Sequence, residues 1–246
     1  MHKPLLALLA AAAGLAGLAL APVSGTTTTA AATGEPVLLE LFTSQGCSSC
    51  PPADRLAAKL ADDPALVVIS RPVTYWDRLG WKDTLAREEN TALQRAYAKA
   101  GLAGQNGVYT PQLVIDGRFG AVGSHQDAIA RGIARHGGTG GAALRVRAIG
   151  DKRFAVGIAG AAERPAELVL IAVRRRAEVA IGRGENGGRA VEYVNVLKDE
   201  RRIADWRGGK ASLVIGPDQL SSTDADAHAL VLREPGGGRV LAARWL

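Results

Sequence analysis

Cysteine is nearly absent from these 246 residues: there are two, Cys47 and Cys50. Two thiols cannot make a Cys-based zinc ribbon or a multi-bridge scaffold. Long basic runs are missing too. The formal charge is +6 and the pI about 9.6, yet no five Lys or Arg residues are consecutive, and Lys3 is the only charged side chain before Glu35. Nucleic-acid binders concentrate their charge on one face, so a nucleic-acid partner is not expected. Glycine and proline together, about 17% of the chain, fall short of the ~25–30% that marks low complexity. No Gly-x-Ser-x-Gly elbow occurs. Asp77, Asp83, Glu88 and Glu89 lack calcium-loop spacing. His125 and His136 have no ligand spacing to the cysteines. What is present, 47% hydrophobic and 22% charged residues, is the composition of a folded chain.

The one long apolar run lies at the N-terminus. MHKPLLALLAAAAGLAGLALA has a short basic start and a run of about 17 apolar residues, and small and polar residues follow it. This is the pattern of a secretory signal peptide; a retained anchor would need a slightly longer run, ~18–20 residues. We expect a signal peptide over 1–25, a linker over 26–35, and a periplasmic or secreted chain with no membrane span after processing. Disulfides form and persist in such compartments.

Two patterns divide the remainder. From 36 to 136, strand-like and helix-like runs alternate. Val37–Phe42 and Leu66–Ile69 are short apolar runs of buried strands. Pro51–Leu60 and 84–100 read as helices, the first opened by a proline and the second ended by Gly101. Pro111–Ile115 and 118–122 flank Asp116-Gly117, a hairpin signal, and 125–135 is a last helix. The order βαβαββα favours parallel pairing with helices on the sheet faces. After the Gly-rich stretch 137–141 the period becomes two. Strands are expected at 144–147, 153–159, 167–173, 177–182, 191–197, 201–206, 211–215, 228–233 and 239–245, which suggests an all-β sandwich-like domain over 142–246. Gly182-Arg183-Gly184-Glu185-Asn186-Gly187 fits a dinucleotide fingerprint on paper. A strand pattern follows it where that site needs a helix, so it reads as a hairpin loop.

The chemistry concentrates at Cys47-Ser48-Ser49-Cys50-Pro51, between an apolar strand and a helix start. A cysteine at a helix N-terminus is activated as a thiolate by free N–H groups and the helix dipole. A thiolate is the nucleophile of disulfide exchange. Cys47 is then the attacking thiol and Cys50 the resolving one, and Ser48 and Ser49 can tune the sulfur. Two other readings stand beside this. One is an inert bridge, although so short a loop removes little unfolded-state entropy. The other is a metal site, copper suiting soft thiolates best, although zinc wants four ligands. Glu40 lies inside an apolar strand. It is either a buried acid that relays a proton to a thiol or a solvated strand-edge carboxylate. Tyr75, Trp76, Asp77 and Trp81 follow the second strand and form either a wall for a substrate or a packed loop. Arg174-Arg175-Arg176 reads as a solvated surface.

A strand, a CxxC at a helix start, a crossover and a Thr-Pro opening an apolar hairpin together resemble the thioredoxin superfamily. The resemblance implies a cis peptide before Pro111, with Pro111 facing the CxxC and Thr110 preceding it, and a buried acid near Glu40. The superfamily's own Trp and Gly-Pro are absent, so its redox poise does not transfer. A closer resemblance is to exported bacterial thioredoxin-like proteins known as domain of unknown function 1223. It rests on LFTSQGCSSCPPAD (41–54), YWDRLGWKD (75–83), QRAYA (94–98), VYTPQLVIDG (108–117) and RGENGGR (183–189). That family has His-Val-Asp before Tyr-Trp-Asp, where this chain has Pro72-Val73-Thr74.

These readings converge on an α/β thioredoxin-like domain over 36–136 and a β-rich domain after it. The expected function is thiol–disulfide exchange on a protein or small thiol substrate, with no cofactor. Cys47, Cys50, Pro111 and Glu40 carry the chemistry, and Thr110, Tyr75 and Trp76 bind substrate. The alternative is a binding module for a protein partner or copper, its disulfide non-catalytic.

Overall fold

The computed structural model describes residues 34–105 and 107–246. The expected signal peptide and nearly all of the linker lie outside the described residues. The chain runs β1 (Val37–Thr43), α1 (Pro51–Leu60), β2 (Leu66–Pro72), α2 (Glu88–Tyr97), β3 (Gln112–Ile115), β4 (Phe119–Val122) and α3 (Gln126–His136). Then come β5 (Ala142–Ala148), β6 (Phe154–Gly160), β7 (Ala166–Ala180), β8 (Ala190–Trp206), β9 (Ala211–Ile215), the single turn α4 (Pro217–Leu220), β10 (Ala227–Arg233) and β11 (Val240–Trp245).

The first seven elements follow the order read from the sequence. β1 and β2 are buried along their whole lengths and pair in parallel; β3 and β4 continue the sheet antiparallel. Asp116 (φ 46°) and Gly117 (φ 63°) both take left-handed conformations at the β3–β4 turn, as a two-residue hairpin of this twist requires. α2 begins at Glu88, four residues later than its helix-forming composition suggests. The Asp83 carboxylate accepts the Leu85 and Ala86 amides and Arg87 is extended, which holds 84–87 as a turn.

The expected boundary at 137–141 does not divide the molecule. β8 pairs in parallel with β2 through Ser70 and Val196, so one eight-stranded sheet runs β11-β10-β7-β8-β2-β1-β3-β4. Residues from 34 to 246 belong to one compact unit. The β-rich half therefore completes the sheet of the first half. A second sheet, β5-β6-β9, covers one face of the β7–β10–β11 wing. Leu144, Val156, Ile158 and Ile215 bury there against Leu168, Leu170, Leu230 and Leu232. The other face of that wing curls over β1 and β2, where Val169, Ile171, Val231 and Val240 meet Leu38, Val67 and Ile69. Among the described residues, no helix is long and apolar enough to cross a membrane.

β7 and β8 are 15 and 17 residues long. Each spans two of the strands expected from the sequence. In β8 the pairing skips Ile203 and Lys198, which breaks that strand's two-residue period without ending the ladder, as bulges do.

Candidate functional site

The site is built where β1 ends. Its register leaves Leu39, Leu41 and Thr43 on the face covered by α1, and Glu40 and Phe42 on the opposite face. This is the alternation of a pleated strand. Beyond Thr43 the chain turns through Ser44–Ser49 into α1. Cys47 and Cys50 are joined by a disulfide, and neither is exposed to solvent. Ser49 Oγ lies 3.4 Å from Cys47 Sγ.

The helix offers the sulfurs less than its sequence suggests. Cys50 is the N-cap and Pro51 and Pro52 follow, so two of the four terminal N–H donors do not exist. The other two are taken: the Cys50 N–H bonds the Cys47 carbonyl and the Ala53 N–H bonds the Cys50 carbonyl. Cys47 lies in the turn before the helix, and the activation expected from free helix amides is correspondingly small.

Two walls flank the disulfide. On one side the Thr110–Pro111 peptide is cis. A Cβ placed on Gly123 would meet Leu41, Ala53 and Pro111 together, at 2.7, 3.1 and 3.2 Å, so Pro111 packs close to the first turn of α1. Trp76 donates its indole N–H to Thr110 Oγ1 at 2.8 Å, and its Cβ would lie 3.2 Å from a side chain on Gly46. Tyr75, Trp76, Tyr109 and Thr110 line a groove of about 600 Å³, with Arg78 and Arg95 among its lining residues. The structure thus brings Thr110, Tyr75 and Trp76 together in one groove, with Trp76 against Gly46 of the cysteine loop and Pro111 near Ala53 of α1; neither cysteine lines the groove. Trp81 serves the other wall. It bonds Gln45 through its indole N–H and packs beneath the β7–β8 turn.

That turn, 182–189, forms the second wall. Asn186 is buried and donates through Nδ2 to the carbonyls of Gln45 (3.0 Å) and Cys47 (2.8 Å). The Glu185 carboxylate accepts the Ser48 amide at 3.1 Å, and the Ser48 hydroxyl and amide together hold its pKa below the ordinary value. Pattern reading identified this segment as a hairpin loop but gave no sign that it reaches the cysteines. The link spans 139 positions of sequence, beyond the reach of local spacing.

Glu40 is not at the disulfide. It is fully buried across the sheet from α1, and its oxygens are taken by Arg71 Nε (2.6 Å) and the Tyr97 hydroxyl. Arg71 also donates to Asn90 and Glu200, and Arg233 joins Glu200 from the other side. This is an ion-pair network between β1, β2, β8 and β10. Burial and the Glu40 carboxylate push the Tyr97 phenol up. Burial alone would raise Glu200, but Arg71 and Arg233 pull it down to about 2.

The carboxyl near the cysteines is Asp54, which lies one turn beyond Cys50 in the same helix. It is buried and accepts Thr43 Oγ1 at 2.7 Å, and its other oxygen has no partner among the described residues. Burial raises its pKa to about 8, further helped by nearby Asp83 and only partly offset by Thr43. A signal was available in the sequence: Asp54 occupies the helix face of Pro51 and Ala57, both buried. Among the described residues no three His, Cys, Asp or Glu side chains form a metal-ligating group. Pro72 ends β2, and Thr74 hydrogen-bonds Glu88 and Thr91. The Arg174–Arg176 run is spent on surface contacts: Asp224, the Trp245 ring and Glu192.

No curated protein matches this sequence. Among solved structures it is similar to a protein from Agrobacterium tumefaciens, at 28% identity over 88% of this chain and 96% of that one, with a TM-score of 0.71. It also shares a fold with HBP35 of Porphyromonas gingivalis, at 14% identity, 87% and 75% coverage and a TM-score of 0.54. The family described as protein of unknown function, DUF1223, matches residues 38–233, and the chain belongs to that family.

Proposed function

We propose that this chain is an exported thiol–disulfide oxidoreductase whose first half is thioredoxin-like. One observation carries the reading. The only two cysteines of the chain are bonded to each other at the start of α1, in a loop that Trp76 approaches at Gly46, and Trp76 and Thr110 line a groove there while Pro111 packs near Ala53 in the helix's first turn. A stabilising bridge would more usefully join distant segments.

A substrate dithiol in the groove attacks through one thiolate on Cys47 Sγ. The Cys47–Cys50 bond breaks, a mixed disulfide forms at Cys47, and Cys50 leaves as a thiolate that takes up a proton. The second substrate thiolate then attacks the mixed disulfide and releases Cys47. Two electrons and two protons pass from substrate to the pair, and the reverse sequence reduces a substrate disulfide. Trp76 and Thr110 orient the substrate. Asp54, holding its proton up to about pH 8, is the acid placed one turn from Cys50.

The test is the reduction potential of the pair, equilibrated against glutathione, with exchange assayed in Cys47→Ser. A value of about −120 to −270 mV and loss of exchange in the variant fit a working catalyst. A value below about −300 mV, or exchange that survives the variant, overturns the reading. The complete burial of both sulfurs favours a second reading, a binding module with an inert bridge; a very negative potential would select it.

A further inference from the structure

The disulfide is fully buried, and one turn is hydrogen-bonded to the backbone of the loop that carries it. The turn between β7 and β8 arrives from the far half of the chain and seats on the loop that carries Cys47. Its shape is set internally: Gly188 N–H bonds Ile181, Gly187 bonds Gly184, and Arg189 bonds Asn186 through the backbone. Gly184 and Gly188 hold φ of 78° and 81°, conformations glycine adopts without strain. The turn is therefore a preformed piece laid against its target.

Its attachment to the Cys47 loop is narrow. Asn186 Nδ2 makes two hydrogen bonds to Gln45 and Cys47 carbonyls, while Arg189 fixes the amide oxygen at 3.1 Å. Glu185 makes one more, to Ser48 N–H. The apolar part of the seat is Trp81, which a Cβ on Gly182 would approach to 3.0 Å. Glu185 is fully exposed and charged, so its bond is screened by salt and weak.

We propose that the 182–189 turn is a removable cover over the Cys47–Cys50 disulfide, with Asn186 the positioning residue that latches it. The assignment rests on the exchange reading above, since a cover over an inert bridge would have no use. Disulfide exchange needs a thiolate in line with the S–S bond, and a fully buried bond admits none. Lifting the turn breaks three hydrogen bonds whose donors and acceptors water can satisfy, and leaves the β7–β8 ladder intact. Glu185 adds a second effect. Its carboxylate stands at the Ser48 amide, where it repels an approaching thiolate and competes with a Cys47 thiolate for the local N–H donors.

The cover has a kinetic signature in the wild-type protein. Dithiothreitol reduces the oxidised chain under pseudo-first-order conditions, and trapped thiols are counted by alkylation and mass. If opening precedes attack, the rate lies at least tenfold below that of an oxidised peptide of residues 44–54 and saturates at high reductant. Asn186→Ala and Asn186→Asp, checked for an unchanged melting temperature, raise the plateau tenfold or more. The Asp form puts a carboxylate against two carbonyls and opens further. Glu185→Gln gives a two- to threefold increase that disappears in high salt. The reduction potential moves far less than the rate, because both directions of exchange speed up together. Arg176→Gln, on the same hairpin away from the turn, leaves the rate unchanged.

A wild-type rate that equals the peptide's, or stays linear in reductant to the highest concentration, overturns the cover. So does an unchanged rate in a folded Asn186 variant. Should the Asn186 variants fail to fold, the wild-type saturation and Glu185→Gln decide. The two readings fail separately. Saturating reduction by dithiothreitol without any protein disulfide exchange keeps the cover and removes the oxidoreductase. Exchange with linear, peptide-like kinetics does the reverse.

Discussion

A carboxyl group inside a protein holds its proton because charging it without water is costly. Asp54 is in that position, with a pKa of about 8. The sign of its effect on stability follows. An unfolded Asp ionises near 3.9, so between about pH 4 and 8 the folded chain binds a proton the unfolded chain has lost. Stability therefore falls with rising pH across that window, and levels off above it. Asp54→Asn keeps an acceptor for Thr43 and removes the titration. We expect the variant to gain on the wild type as pH rises, by a few kcal/mol at pH 8 given ~1.4 kcal/mol per pKa unit. Urea melts at pH 5, 7 and 9 read this directly; parallel wild-type and variant curves would remove Asp54 from the account. Glu40 shows how sequence alone misplaces such a group. Its apolar surroundings leave a buried acid and a solvated edge both open, and an acid's role depends on which face of the strand it occupies. That depends on what packs on each face, and the partner Arg71 lies 31 positions away.

Elements fail when the groups that join them lose a partner. Arg71, buried on β2, neutralises Glu40 of β1 and Glu200 of β8 at once, at 2.6 Å each. Arg71→Met leaves two carboxylates in the interior, and removal of one partner from a buried pair typically costs ~3–5 kcal/mol. We expect a destabilisation of that order at pH 7 in chemical denaturation. The Glu200 carboxylate, held at about 2 in the native chain, contributes stability present above about pH 4.5 and lost as pH falls toward 2. In Arg71→Met that acid limb becomes shallower; an unchanged acid titration would mean that Arg71 does not hold Glu200. A second junction is Asp116, whose carboxylate accepts the amides of Leu38 and Gly138 while its carbonyl accepts Val240. Asp116→Ala strands the buried Leu38 N–H at ~1–3 kcal/mol and unpairs the half-buried Gly138 N–H, which a drop in melting temperature would register. The elements themselves were legible because apolar runs and turn residues act locally. β8 looks like two strands because the bulge at Lys198 interrupts the alternation while the ladder continues, and β7 because Arg174-Arg175-Arg176 interrupts its apolar run.

At the scale of the whole molecule, the Gly-rich stretch 137–141 looks like a linker, and composition cannot tell a linker from a turn inside one sheet. The distinction lies in pairing that only the folded chain shows. β8 joins β2, the Arg71 network crosses from β1 to β10, and Val240 of β11 bonds Asp116 after β3. The interior face of β7, β10 and β11 is covered by Leu38, Val67 and Ile69 of the first half. A fragment of residues 142–246 would expose that face to water along with Arg233 and Glu200, and the apolar area alone would cost ~25 cal/mol per Å². We therefore expect the fragment to lack a cooperative thermal transition and dispersed amide resonances, although the β5-β6-β9 sheet has its own core contacts. Mixed with the fragment 34–136, it should regain both, since the missing surfaces then meet. A sharp melt from 142–246 alone would restore the two-domain division. It would also detach the disulfide's cover from the sheet that positions it, since the 182–189 turn reaches Cys47 only because β7 and β8 are fixed against β2.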